Sequence, residues 1–103
     1  MPVIAVSIPS TLLIDRLALL SAINAVAAGA LGLASTGIHS QLSLVETGCT
    51  GQTENEPWPV ALLQGRRRDT DKMNAAVEGV AGELARLTKR DREIVWVQWL
   101  IQE

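Results

Sequence analysis

Few side chains in this chain of 103 residues have types and spacings that suggest chemistry. His39 is the only histidine and Ser40 follows it, but a Ser-His-Asp arrangement needs three groups that converge in space, and no acid is spaced to join them. The pair reads as polar residues on a short amphipathic helix. Cys49 is the only cysteine and lies in Thr47-Gly48-Cys49-Thr50-Gly51. A reactive thiol needs a nearby base or a helix N-terminus to depress its pKa, and neither can be placed there. The glycines around it lack the Gly-Lys-Ser/Thr of a phosphate loop. One His, one Cys and scattered acids offer none of the paired spacings that zinc sites use. No metal and no cofactor is expected, and the chain is not read as an enzyme.

Arg66-Arg67-Arg68 is the sharpest charge feature. Three consecutive helical residues fan around the circumference, and Asp69 and Asp71 reduce the local field. The run is a candidate for anion or nucleic-acid contact. Trp96 and Trp99 sit three apart and, with Leu100, are candidates for a protein interface, where tryptophan is over-represented among energetic hot spots. Leu87-Thr88-Lys89-Arg90-Asp91-Arg92-Glu93-Ile94 resembles the opening of the helix-turn-helix domain of LuxR-type transcription regulators. The resemblance covers eight residues, and only nine follow Ile94, too few for a recognition helix, so it does not imply DNA reading.

The elements that would position these residues read as helices. Nearly half the chain is apolar, with no Phe or Tyr and abundant Ala and Leu, which lead the helix-propensity ranking. Val3–Ile8 reads as an extended arm or edge strand closed by Pro9. Ser10 or Thr11 then caps a long helix from Leu12 to about Ala34 that is apolar nearly all round and must be covered on most sides. Within it, Leu17, Leu20, Ile23 and Leu31 are the candidate contacts for a partner helix, most economically from a second copy. Leu17–Leu33 has nearly the length of a membrane span, but it relies on Ala and Gly, holds Asn24 near its centre and lacks aromatic flanks. A secretory leader is not expected either.

Ile38, Leu42 and Val45 fit a short amphipathic helix stopped by Gly48, and residues 47–56 a surface loop. Pro57 or Pro59 opens a third helix, with Leu63, Thr70, Met73, Val77, Val80, Leu84 and Leu87 on a heptad-like stripe. Gly79 and Gly82 offer points of close approach. Thr88 and Asp91 form a capping box for a C-terminal helix, although Ile94–Ile101 has the composition of a strand, which would then pair with Val3–Ile8. No internal repeat is apparent.

The fold expected is therefore mainly α, one helical domain over 1–103 with three to four helices, the alternative being α+β with the terminal strands paired. Net charge is −2, which disfavours a general nucleic-acid binder, and a lone cysteine suits a reducing, cytoplasmic setting. The function expected is a non-catalytic homodimer, a regulatory inhibitor or anti-activator acting in transcription regulation by blocking another protein. The alternatives are a membrane-inserting pore former through Leu17–Leu33 and a DNA-associated accessory protein through Arg66–Arg68.

Overall fold

A computed structural model describes residues 1–103. The elements are β1 (Val3–Pro9), α1 (Arg16–Leu31), β2 (His39–Val45), β3 (Gly48–Thr50), β4 (Thr53–Asn55), β5 (Val60–Gly65), α2 (Thr70–Thr88) and β6 (Trp96–Ile101). Single 3₁₀ turns at Ser35–Gly37 and Arg92–Ile94 lead into β2 and β6. The main sheet runs β2-β1-β5-β6: β1 pairs with β2 in parallel, β5 with β6 in parallel, and β1 with β5 antiparallel. A β3–β4 hairpin links the halves.

Alternation along β1 explains its place. Ile4, Val6 and Ile8 are buried while Val3, Ala5 and Ser7 between them are half-buried, so one face meets the helices and the other stays open. The core joins that sheet face to Leu19, Ile23, Ala27 and Leu31 of α1 and to Ala76, Val80, Ala81 and Leu84 of α2. Each large aliphatic side chain buried in full contributes roughly 1.5–3 kcal/mol. The helices lie close together where a Cβ at Gly79 would come 2.7 Å from Val26 Cγ1.

The two halves repeat. One constant shift carries Pro2 onto Pro59, Val3 onto Val60, Leu19 onto Ala76, Ala27 onto Leu84, Gly32 onto Lys89 and His39 onto Trp96. His39 N donates to Pro2 O at 3.2 Å and Trp96 N to Pro59 O at 3.0 Å. Both helices begin at an aspartate cap, Asp15 Oδ1 accepting from Ala18 N and Asp69 Oδ1 from Asp71 N. Both end in a left-handed residue, Gly32 at φ 70° and Lys89 at φ 57°. The large–small exchanges Leu19/Ala76 and Ala27/Leu84 keep the core volume while erasing the likeness from the sequence, which is why no repeat is apparent there.

This architecture corrects the mainly α expectation. The segment from Ile38 to Val45 holds β2, because pairing with β1 overrides a weak helical spacing. The stretch after Pro59 is β5, a short apolar run that cannot be told from a buried helix by periodicity alone. Residues 47–56 include the β3–β4 hairpin, turning at Gly51 with φ 62°. Thr88 closes α2, its hydroxyl donating to Leu84 O at 2.6 Å, and caps nothing downstream. The β-branched and aromatic run after it forms β6. The α+β class of the alternative is the one observed, but its terminal strands do not pair, since β6 pairs with β5 and β1 lies between β2 and β5. The long helix begins at Arg16, and its outer face, with Ala18, Ser21, Ala25 and Gly29 exposed, is small and only weakly apolar. No helix is long and apolar enough to cross a membrane.

Candidate active site

The head of β1 and the tail of β5 lie side by side, and this end of the sheet gathers the chain's most distinctive chemistry. Pro2 is buried there although Met1 before it is 81% exposed. Beyond the pair Val3–Gln64, the β5 position next to Pro2 is Gly65. Gly65 carries no side chain, and a Cβ built on it would sit 3.6 Å from Pro2 Cβ and 3.2 Å from Trp99 Cζ2. The pyrrolidine and the indole therefore both pack close against Gly65.

Directly after Gly65 the chain leaves the sheet as Arg66-Arg67-Arg68 and then enters α2 at the Asp69 cap. The three arginines are in an extended loop, not on a helix as their spacing had suggested. Arg67 meets Glu103 at 3.5 Å with both side chains well exposed, an ion pair of small value. Arg66 and Arg68 have no acidic partner among the four ion pairs of the structure. Arg68 is half-buried, and its Nε is shielded from solvent without a hydrogen-bond partner. Lys72 adds a further cation, its Nζ 3.9 Å from a Cβ built at Gly32.

The other candidates scatter. Ile23 and Leu31 are core residues, and Leu20 packs half-buried against that core, so none of the three is free to meet a partner. Leu17 is 75% exposed on α1. Trp96, with 61% exposure, and Leu100 lie on the open sheet face, whereas Trp99 points to the helix side beside Gly65. His39 is exposed with its Nε2 3.4 Å from Gln41 Oε1, and Ser40, next in the strand, points to the opposite face. Cys49 donates to Gly51 O at 3.3 Å in the hairpin. It lines a cleft of about 610 Å³ with Ser7, Val45, Asn55, Trp58 and Val60, at the far end of the sheet from Pro2 and with no charged residue in its wall. None of the three clefts on the single chain lies at Pro2. No three His, Cys, Asp or Glu side chains gather as a metal site would require.

Sequence reasoning missed Pro2 because a proline nitrogen inside a peptide chain has no acid–base chemistry. The available signal was the shared Pro-Val of Pro2-Val3 and Pro59-Val60 at the heads of two strands.

No protein-family model and no curated protein sequence matches the chain. Solved structures do. Pt0534, determined after inactivation by 2-oxo-3-pentynoate, superposes with a TM-score of 0.88 at 15% identity over 97% of this chain and 85% of that one. A fused 4-oxalocrotonate tautomerase in an asymmetric trimer gives 0.87 at 16% identity over the same shares. A member of the cis-3-chloroacrylic acid dehalogenase family gives 0.77 at 16% identity over 97% of this chain and 74% of that one. These neighbours are enzymes. On that finding the expectation of a non-catalytic inhibitor or anti-activator, with its pore-forming and DNA-accessory alternatives, is corrected, as is the expectation of a chain that is not an enzyme. At such identities the likeness speaks for architecture: the chain has the α+β tautomerase-like fold.

Proposed function

We propose that the chain is an isomerase of small 2-oxo carboxylates, with the Pro2 nitrogen as general base and Arg66–Arg68 as the carboxylate clamp. The observation that carries this reading is the burial of Pro2 at the head of β1, beside Gly65 and directly before the arginine loop. While Met1 is attached, the Pro2 nitrogen is an amide and not a base. Cleavage of the Met1–Pro2 bond makes it a secondary amine. Such an amine carries a lone pair that can accept a proton from carbon. Arg68 and Arg66, without acidic partners, are free to take the substrate carboxylate by charge-assisted hydrogen bonds.

The amine removes a proton from the carbon next to the carbonyl. The C–H pair becomes the enol double bond, the carbonyl π pair moves to oxygen, and the amine returns its proton to that oxygen or to a farther carbon. Nothing is oxidised or reduced. The inactivator of Pt0534 is itself a 2-oxo acid, which motivates the substrate class.

The working unit in this reading is a homo-oligomer. The open sheet face presents Val3, Ala5, Val60, Leu62, Trp96 and Leu100, and the absence of a cleft at Pro2 on one chain fits a site completed by a second copy. The fused tautomerases are trimers, which favours the same kind of assembly. The exposed free thiol of Cys49 suits a reducing compartment such as the cytoplasm.

The test is exchange of the C3 protons of 2-oxobutanoate in deuterated water, followed by NMR with the processed protein. Catalysed exchange that disappears in Pro2→Ala is the expected result; exchange no faster than in buffer rejects the reading. Light scattering on Leu62→Glu checks the assembly: the wild type is expected as an oligomer and the variant as a monomer.

A further inference from the structure

The end of the sheet that holds Pro2 contains a hydrogen-bond donor that nothing in the protein uses. Trp99 Nε1 is buried and has no partner. The corresponding donor of Trp96, on the other face of β6, is served by Gln98 Oε1 at 3.3 Å. Leaving a buried N–H unpaired is costly, and native structures keep few of them without a reason. An apolar ring would fill the same place against the core without that cost. By the repeat, the counterpart of Trp99 is Leu42, so the donor exists only at the end that holds Pro2 and the arginines.

Trp99 Cζ2 is the atom 3.2 Å from a Cβ at Gly65, and that Cβ position lies 3.6 Å from Pro2 Cβ. Cζ2 and Nε1 are both bonded to Cε2, so the N–H lies two bonds from the indole atom beside Gly65. Glycine at 65 lets the indole and the pyrrolidine approach the same backbone position, where a Cβ would be crowded.

We propose that the Trp99 indole N–H holds the substrate's carbonyl oxygen and stabilises it as the enolate forms, while Arg68 holds the carboxylate. This rests on the isomerase reading and assigns the group that receives the negative charge. As the Pro2 amine takes the carbon-bound proton, the carbonyl oxygen gains charge and its hydrogen bond from Trp99 strengthens. No proton leaves the indole. A donor already in place and shielded from water stabilises such charge without reorganising. Recognition is thereby confined to acids with a carbonyl next to the carboxylate; a plain carboxylate would leave the indole unpaired.

The experiment uses the processed full chain labelled with nitrogen-15. Its Trp99 indole resonance is assigned by its absence in Trp99→Phe, and pyruvate is the probe, with acetate as the plain carboxylate. A saturable downfield shift of the Trp99 indole proton with pyruvate, absent with acetate, is expected. A resonance that stays fixed at every pyruvate concentration overturns the proposal. Trp99→Phe should lower kcat for 2-oxobutanoate exchange roughly 100-fold, the size of effect seen when one oxyanion donor is removed, with KM changed little and the thermal midpoint not lowered. An unchanged kcat also overturns it. Reaction of Pro2 with 2-oxo-3-pentynoate separates the two claims: a shift without that reaction supports the donor and counts against the base, while reaction without a shift removes the donor alone.

Discussion

Pro2 and Pro59 occupy equivalent places at the heads of β1 and β5, with the same backbone hydrogen bond from the neighbouring strand and the same burial, yet the two ends of the sheet carry different chemistry. Beyond β5 the loop to the helix is Arg66-Arg67-Arg68; beyond β1 it is Ser10-Thr11-Leu12-Leu13-Ile14. Gly65 lets Pro2 and Trp99 approach the strand backbone closely, whereas its counterpart Ile8 fills the core. Both proline nitrogens are amides in the chain described, and the proposed reading needs only that of Pro2 to be released as an amine. The fold supplies two platforms, and the side chains equip one of them. Function here is a property of the site grafted on the fold, not of the fold itself.

Breaking the equipped end should have the largest effect. Pro2→Ala replaces a secondary by a primary amine and shifts its position, and proton exchange on 2-oxobutanoate should fall roughly 100-fold, within the range of general-base contributions. Pro59→Ala should leave the exchange rate unchanged and cost roughly 1 kcal/mol of stability, read by denaturant titration. Equal activity loss in both variants would erase the distinction between the ends.

Removing the clamp comes next. Arg68→Ala should lower kcat/KM about tenfold or more through the loss of a charge-assisted hydrogen bond. Salt should weaken the wild type more than the variant. At the opposite end Leu13, fully exposed, should tolerate Leu13→Ala with no change in kcat/KM.

The smallest effect concerns the two helix ends. Lys89 holds the left-handed conformation that glycine adopts at Gly32. Lys89→Gly should therefore stabilise the protein by roughly 0.5–1 kcal/mol, and Gly32→Ala should destabilise it similarly. Thermal unfolding of both variants checks the pair.

Of the residues in the proposed site, the sequence singled out Arg66–Arg68 as a candidate anion or nucleic-acid contact, because charge is a local property, and Trp99 as a candidate protein interface. Neither could be joined to Pro2, because the pairing that brings residue 2 beside residue 65 is long-range and antiparallel, and no local pattern announces it. The strands β2 and β6 were hidden for different reasons. His39–Val45 is rich in Ser and Gln and forms a strand only because β1 is there to pair with it. Trp96–Ile101 has strand propensity, but the Thr88–Asp91 spacing imitates a helix cap; in the fold Thr88 lies in the last turn of α2 and bonds backward. The long apolar helix was legible as an element; its Ala27 and Ala28 are buried in the core, Ala18, Ala25 and Gly29 lie exposed, and the close approach to α2 is made by that helix's Gly79 against Val26.

The most direct test of the account is the site of covalent capture by 2-oxo-3-pentynoate. An amine lone pair adds to its activated alkyne, and the adduct can be mapped by peptide mass spectrometry on the processed protein. The account predicts one reagent molecule on the Pro2 nitrogen, blocked by excess pyruvate, with Cys49 and Pro59 unmodified. A protein that stays unlabelled, or that carries the label on the exposed thiol of Cys49 while the Pro2 amine remains free, would contradict it.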